Sequence, residues 1–91
     1  MDVRAHILVY GQVQGVFFRR TAQKKAEEIG VVGLARNRRD GAVELIAQGD
    51  KKAVEKFIKW CEAGPPLAKV ENVEVEWKHN LEEFDGFEIE D

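Results

Sequence analysis

The stretch Gly11-Gln12-Val13-Gln14-Gly15-Val16-Phe17-Phe18-Arg19-Arg20 decides how this chain is organised. An apolar run at residues 7–10 precedes it, and a pattern of helical periodicity at residues 21–29 follows it. The stretch is therefore predicted to be a loop between a strand and a helix. Its two glycines allow positive φ angles and a close approach of the backbone to a ligand.

Two arginines, Arg19 and Arg20, lie where this helix is predicted to begin. The first turn of a helix carries a partial positive charge, so cations are unfavourable there unless an anion is bound. Guanidinium groups and the backbone N–H groups of residues 14–18 would together form an anion site. The alternative is that both arginines are solvated or pair with distant acids. The stretch matches neither the GxGxxG nor the GxxxxGK[ST] pattern, so we expect phosphate and not a nucleotide.

Length and composition predict one globular domain over residues 1–91, because 44% of the 91 residues are hydrophobic. The sequence has no apolar run long enough to cross a membrane. Its single cysteine, Cys61, cannot form an internal disulfide, which favours a reducing, cytoplasmic setting. A charged content of 34% favours a heat-stable protein. Nothing predicts a dimer face, so we expect a monomer.

Charge is distributed unevenly along the chain, whose formal net charge is −3. Residues 1–40 carry eight Lys or Arg and four Asp or Glu, whereas residues 41–91 carry six and thirteen. A net acidic domain is a poor binder of nucleic acid. A local positive field in the first half is better suited to steering a small anion.

Hydrophobic periodicity predicts two helices among several strands. The strands are expected at residues 3–10, 31–37, 42–47, 70–77 and 84–90, and the helices begin near Phe18 and after the capping residue Asp50. Asp40-Gly41 predicts a hairpin between the second and third strands. This order is that of an α+β, ferredoxin-like βαββαβ sandwich, with two helices on one face of a mainly antiparallel, four- to five-stranded sheet.

The predicted topology brings Asn37 within reach of Arg19. The first two strands run parallel with the third between them, so their C-terminal ends lie at the same end of the sheet. The glycine loop follows the first of these ends, and Asn37 stands at the second. A carboxamide is no strong base, but it can orient a water molecule. A phosphate clamp with a water-positioning group suits acyl phosphates, whose carboxylate leaving group needs no protonation. Cys61 lies on the predicted apolar face of the second helix, and His6 and His79 lie away from the loop, so none is expected to act in catalysis.

At these residues the sequence resembles the acylphosphatase family. Residues 11–19 are similar to its first signature, and residues 33–49, with Asn37, resemble its second. The resemblance covers essentially the whole chain and implies hydrolysis of acyl phosphates to a carboxylate and inorganic phosphate, without metal or organic cofactor. It implies that Arg19 is the catalytic, phosphate-binding arginine, that Asn37 positions the attacking water, and that residues 11–17 form the cradle. Leu34 departs from the family pattern, which usually has an aromatic residue there.

A second hypothesis is a non-enzymatic module of the same fold that binds an anion or RNA. RNA-binding domains of this kind use aromatic side chains on the open face of the sheet. The third strand offers Glu44 and Ile46 there instead. Turnover of a simple acyl phosphate separates the two hypotheses.

Overall fold

A computed structural model describes residues 1–90 as a five-stranded sheet with two helices packed on one face. The elements are β1 (Asp2–Gln12), α1 (Phe18–Ile29), β2 (Val32–Asn37), β3 (Val43–Asp50), α2 (Lys51–Ala63), β4 (Lys69–Lys78) and β5 (Phe87–Glu90). The strand order is β4-β1-β3-β2-β5, with antiparallel pairs except for β2 and β5, which are parallel. The predicted ferredoxin-like α+β fold is confirmed. Neither helix is long and apolar enough to cross a membrane.

Strand β3 sets the distance between the two segments that were expected to form the site. Val43, at its start, pairs with Val9 of β1 on one side and with Asn37 of β2 on the other. Strands β1 and β2 are therefore parallel to each other, as predicted, and their C-terminal ends lie at the same end of the sheet. Asn37 lies two strands away from Val9 at the same level along the strands.

Both helices begin and end as their sequence signals predict. Helix α1 covers the predicted residues and stops at Gly30, which adopts φ 96. Helix α2 is capped by Asp50, whose carboxylate accepts a hydrogen bond of 3.2 Å from the N–H of Lys52. Its buried side chains include Cys61, and burial raises the pKa of this thiol. Cys61 is a core residue, as expected, and is not available as a nucleophile.

Strand β1 is longer than the sequence indicates. Gly11 and Gln12 were expected in the loop, but they continue the strand and pair with β4 after an irregularity between Tyr10 and Gly11. Gly11 has φ 129, and a Cβ atom there would lie 2.1 Å from the carbonyl oxygen of Lys69. Only glycine allows this bulged strand to stay so close to β4.

Strand β4 is an edge strand, and its apolar face is only partly covered. Val73 packs against the core, whereas Val75 and Trp77 remain 36% and 43% exposed. The strand predicted at residues 70–77 is present. Val75 and Trp77 line a groove together with Ile58 and other residues of α2.

The connection between β4 and β5 crosses the sheet, since these strands lie at opposite edges. Arg4 of β1 donates from Nε to the Asn80 carbonyl at 2.9 Å, and Gln48 of β3 donates to the Glu82 carbonyl at 2.7 Å. Arg4 also pairs with the Glu82 carboxylate. These contacts carry the chain to β5, which pairs with β2 and brings Ile89 to the candidate site.

The aromatic core predicts a clear difference between two phenylalanines. Phe57 is fully buried, with its ring 5.5 Å from that of Phe87 and 6.0 Å from that of Trp60. We expect Phe57→Ala to lower the free energy of unfolding by about 3–5 kcal/mol. Phe17→Ala removes a ring that is 66% exposed, and we expect a change within about 0.5 kcal/mol. Urea unfolding followed by circular dichroism measures both, and equal losses would contradict this description of the core.

Candidate active site

The loop between β1 and α1 is fixed by apolar side chains that point into the protein. Val13 and Phe18 are buried and Val16 packs against the core. These anchors leave the backbone between them at the surface, where Gly15 adopts φ 76 and lines a pocket. Of the residues predicted to form the cradle, Val13, Gly15 and Phe17 line this pocket, whereas Gly11 and Gln12 belong to β1.

The side chain of Gln14 ties this loop to the turn that follows Asn37. Its Nε2 donates hydrogen bonds to the carbonyl oxygens of Arg38 at 2.8 Å and Ala42 at 2.9 Å. The same turn is closed by a backbone hydrogen bond of 2.8 Å from Arg38 to Ala42. Gln14 therefore holds the ends of β1 and β2 at a fixed spacing. The sequence indicated only its backbone N–H as a contributor.

Helix α1 begins without a capping side chain. Its N-cap residue, Phe17, adopts a left-handed conformation with φ 64 and ψ 26, and no acidic residue lies in the first turn. The carbonyl oxygen of Phe17 accepts bonds from the backbone N–H and the hydroxyl of Thr21. The first N–H groups of the helix thus lack the side-chain acceptor that usually satisfies them. Such a helix terminus favours an anion.

A pocket of about 380 Å³ brings the two predicted catalytic residues together. Arg19 lines the pocket from the first turn of α1, and Asn37 lines it from the end of β2. Leu34, whose identity departs from the family pattern, is half-buried opposite Ile46 and does not belong to the lining. The lining consists of Val13, Gly15, Phe17, Phe18, Arg19, Arg20, Asn37 and Ile89.

The guanidinium of Arg19 is oriented from strand β5. Its Nη1 donates to the backbone carbonyl of Glu90 at 2.9 Å. The Glu90 carboxylate lies 3.5 Å from Nη1 of Arg36 on β2. No sequence pattern predicts this contact, because its acceptor is a backbone atom 71 residues further along the chain.

The open face of the sheet carries an ionic network beside this contact. Glu44 lies between Arg36, whose Nε is 2.7 Å from one carboxylate oxygen, and His6, whose Nε2 is 2.5 Å from the other. The hydrogen bond from Arg36 holds the pKa of Glu44 below its usual range, with His6 acting in the same direction. His6 is therefore a structural residue of this face and lies outside the pocket, as does His79.

The family follows from a comparison with known proteins. A family model described as Acylphosphatase matches residues 5–89. This chain belongs to the acylphosphatase family. A protein named acylphosphatase from Pelotomaculum thermopropionicum is 51% identical over 86 residues, which are 94% of each chain. The acylphosphatase from Pyrobaculum calidifontis is 52% identical over 88 residues, 96% of this chain and 80% of that protein.

Solved structures agree with this family. An acylphosphatase from Coxiella burnetii superposes with a TM-score of 0.92 at 38% identity, covering 98% of this chain and 93% of that one. The acylphosphatase from Bacillus subtilis has a TM-score of 0.92 at 36% identity, covering 96% and 97%. As a member of the acylphosphatase family, the chain is an enzyme that hydrolyses acyl phosphates. This finding favours the hydrolase over the non-enzymatic binding module.

The bonds from Gln14 predict the effect of a nearly isosteric change. Gln14→Glu replaces a donor with a carboxylate that would face two carbonyl oxygens. We expect a loss of about 1–3 kcal/mol in the free energy of unfolding and weaker binding of inorganic phosphate, because the loop and the Asn37 turn separate. Asn72→Asp, the same change from amide to carboxylate at an exposed position outside the pocket, is the matched control. Unchanged stability and phosphate affinity in Gln14→Glu would refute the positioning role of Gln14.

The lowered pKa of Glu44 predicts an acid-dependent loss of stability. A carboxyl with a depressed pKa stabilises the fold above its unfolded-state value of about 4.3, and the contribution is lost as the pH falls through the folded-state pKa. Wild type should therefore be more stable than Glu44→Gln at pH 7, and this advantage should shrink below about pH 4.3. Urea unfolding of both proteins across this range is the test. An advantage that stays constant down to pH 3 would contradict the ionic network.

Proposed function

We propose that this acylphosphatase-family enzyme works by direct attack of water on phosphorus in the pocket that Arg19 and Asn37 share. The observation that carries the proposal is that both side chains line one pocket, although they come from different elements. Phosphoryl transfer depends on positioning and charge stabilisation more than on covalent chemistry. An arginine and a carboxamide beside an uncapped helix N-terminus supply both.

The phosphoryl group is held by the loop and by Arg19. Backbone N–H groups of residues 14–18 surround its oxygens, and the guanidinium of Arg19 binds them as a planar fork. The hydrogen bond from Arg19 to the Glu90 carbonyl supports this role, since it fixes the orientation of the guanidinium at the pocket. The positive end of α1 adds to the attraction.

Asn37 orients the attacking water on the opposite side of the phosphorus. The water oxygen forms a bond to phosphorus while the bond from phosphorus to the acyl oxygen breaks. The acyl group leaves as a carboxylate with the bonding electron pair, and one proton of the water passes to an oxygen of the phosphate. No protein group needs to take that proton. The burial of Cys61 supports a mechanism without a cysteinyl phosphoenzyme.

Hydrolysis of benzoyl phosphate, followed by ultraviolet absorbance, tests the two roles separately. We expect Asn37→Ala to lower kcat by about 100-fold or more while the affinity for inorganic phosphate stays close to that of wild type. Arg19→Ala should lower both rate and phosphate affinity, because it removes the clamp. Asn72→Ala and Arg39→Ala, at exposed positions outside the pocket, are the matched controls. If Asn37→Ala binds phosphate and keeps the full rate, the water-positioning role is wrong.

The rate should depend weakly on pH near neutrality. Neither histidine lines the pocket, and the proposed reaction uses no general base from the protein. We expect kcat/KM for benzoyl phosphate to change by less than about threefold between pH 6 and 8, since an imidazole titrating near 6.5 would give a larger change. A bell-shaped profile with an apparent pKa near ~6.5 would show that a titrating group of the protein takes part.

We also propose that residues 1–91 act as one domain, as a cytoplasmic and heat-stable monomer. A free, buried cysteine is typical of proteins from reducing compartments. The content of charged residues, 34%, is typical of heat-adapted proteins. Sedimentation equilibrium and a thermal scan test the oligomeric state and the stability.

A further inference from the structure

Arg20 lines the same pocket as Arg19, but the proposed reaction assigns it no task. It is exposed in the first turn of α1, and no carboxylate is found among the pocket-lining residues that the structure describes. Within residues 1–90, no hydrogen-bond or ion-pair partner of its guanidinium is found, in contrast to Arg36 and Arg38, which both pair with acids. Arg20 is therefore a positive charge at the pocket that no acidic side chain of residues 1–90 pairs with.

The charge of the substrate can be compared with the charges that the pocket supplies. In the proposed reaction the negative charge of the phosphoryl group is balanced by the guanidinium of Arg19 and by the backbone N–H groups at the start of α1. A second guanidinium at this helix terminus is electrostatically unfavourable in the empty protein. It becomes favourable when the bound molecule carries a further negative charge within its reach.

The pocket also offers an apolar surface for the body of the acyl group. Phe17 is 66% exposed and Ile89 is 36% exposed, and both belong to the lining. Phe17 is also the only described non-glycine residue with a positive φ, a conformation that costs energy and is often found at functional sites. The pocket thus combines a phosphate clamp, an apolar wall and an additional cation.

We infer that Arg20 determines specificity by favouring acyl phosphates whose acyl part carries a second anionic group. A guanidinium binds carboxylate and phosphate oxygens equally well in geometric terms, so either group fits. The inference rests on the proposed function, since it takes the phosphoryl group to be bound by Arg19. Arg20 takes no part in bond breaking. Because Arg20 is exposed, its pair with an anion is of the weak, solvent-screened kind.

A matched set of substrates measures this preference. Para-carboxybenzoyl phosphate carries the second anion, and para-carbamoylbenzoyl phosphate has the same shape without the charge. For wild type we expect the ratio of kcat/KM, charged over neutral, to be about three to five, the size of an exposed ion pair. In Arg20→Gln the ratio should fall to about one, and in Arg20→Lys it should lie between these values. It should also fall with added salt in wild type, which a purely structural role would not produce.

The control and the remaining outcomes separate this inference from the proposed function. Lys24→Gln removes an exposed cation one turn further along α1, outside the pocket, and should leave the ratio at the wild-type value. Para-phosphonobenzoyl phosphate shows whether a carboxylate or a phosphate-like group gains more from Arg20. Rapid hydrolysis with the same ratio in wild type and Arg20→Gln would overturn the role of Arg20 alone. Failure of wild type to hydrolyse benzoyl phosphate would overturn the proposed function, and the role of Arg20 with it.

Discussion

The pairing of β3 between β1 and β2 is the constraint on which the candidate site depends. Val43 faces Val9 on one side and Asn37 on the other, so Asn37 and the last part of β1 lie at the same end of the sheet. Neighbouring strands are about 4.8 Å apart, which places β1 and β2 about 10 Å from each other. In the proposed mechanism, the phosphoryl group binds in this space, between the loop after β1 and the side chain at the end of β2. Gln14 bridges the gap beside the pocket through its two bonds to the Asn37 turn.

Local signals were sufficient to predict the helices and the general position of the site. Helix α1 occupies the predicted residues, and Asp50 caps α2, because both depend on periodicity and on chemistry within one turn of the chain. The convergence of Arg19 and Asn37 in one pocket also followed from the order of elements and the handedness of the crossover. These predictions needed only the sequence of each segment and the general rules of chain topology.

The remaining features depend on partners that no local pattern identifies. Gly11 and Gln12 belong to β1 because β4 pairs with them, and β4 lies almost 60 residues further along the chain. The side chain of Gln14 and the guanidinium of Arg19 both donate to backbone carbonyls, which every residue possesses. The partial exposure of Trp77 accompanies its place on β4, which pairs with β1 and lies at the edge of the sheet. Such contacts are fixed by tertiary structure and are visible only once the strands are placed.

The most direct test of the site is a titration of nitrogen-15-labelled protein with inorganic phosphate, followed by NMR. We expect saturable shifts in the backbone N–H signals of residues 14–19 and in the side-chain amide of Asn37. Signals of Val75 and Trp77, on the far edge strand, should not move. Saturable shifts confined to another surface, with the loop and Asn37 unaffected, would contradict the central claim that phosphate binds between these two segments.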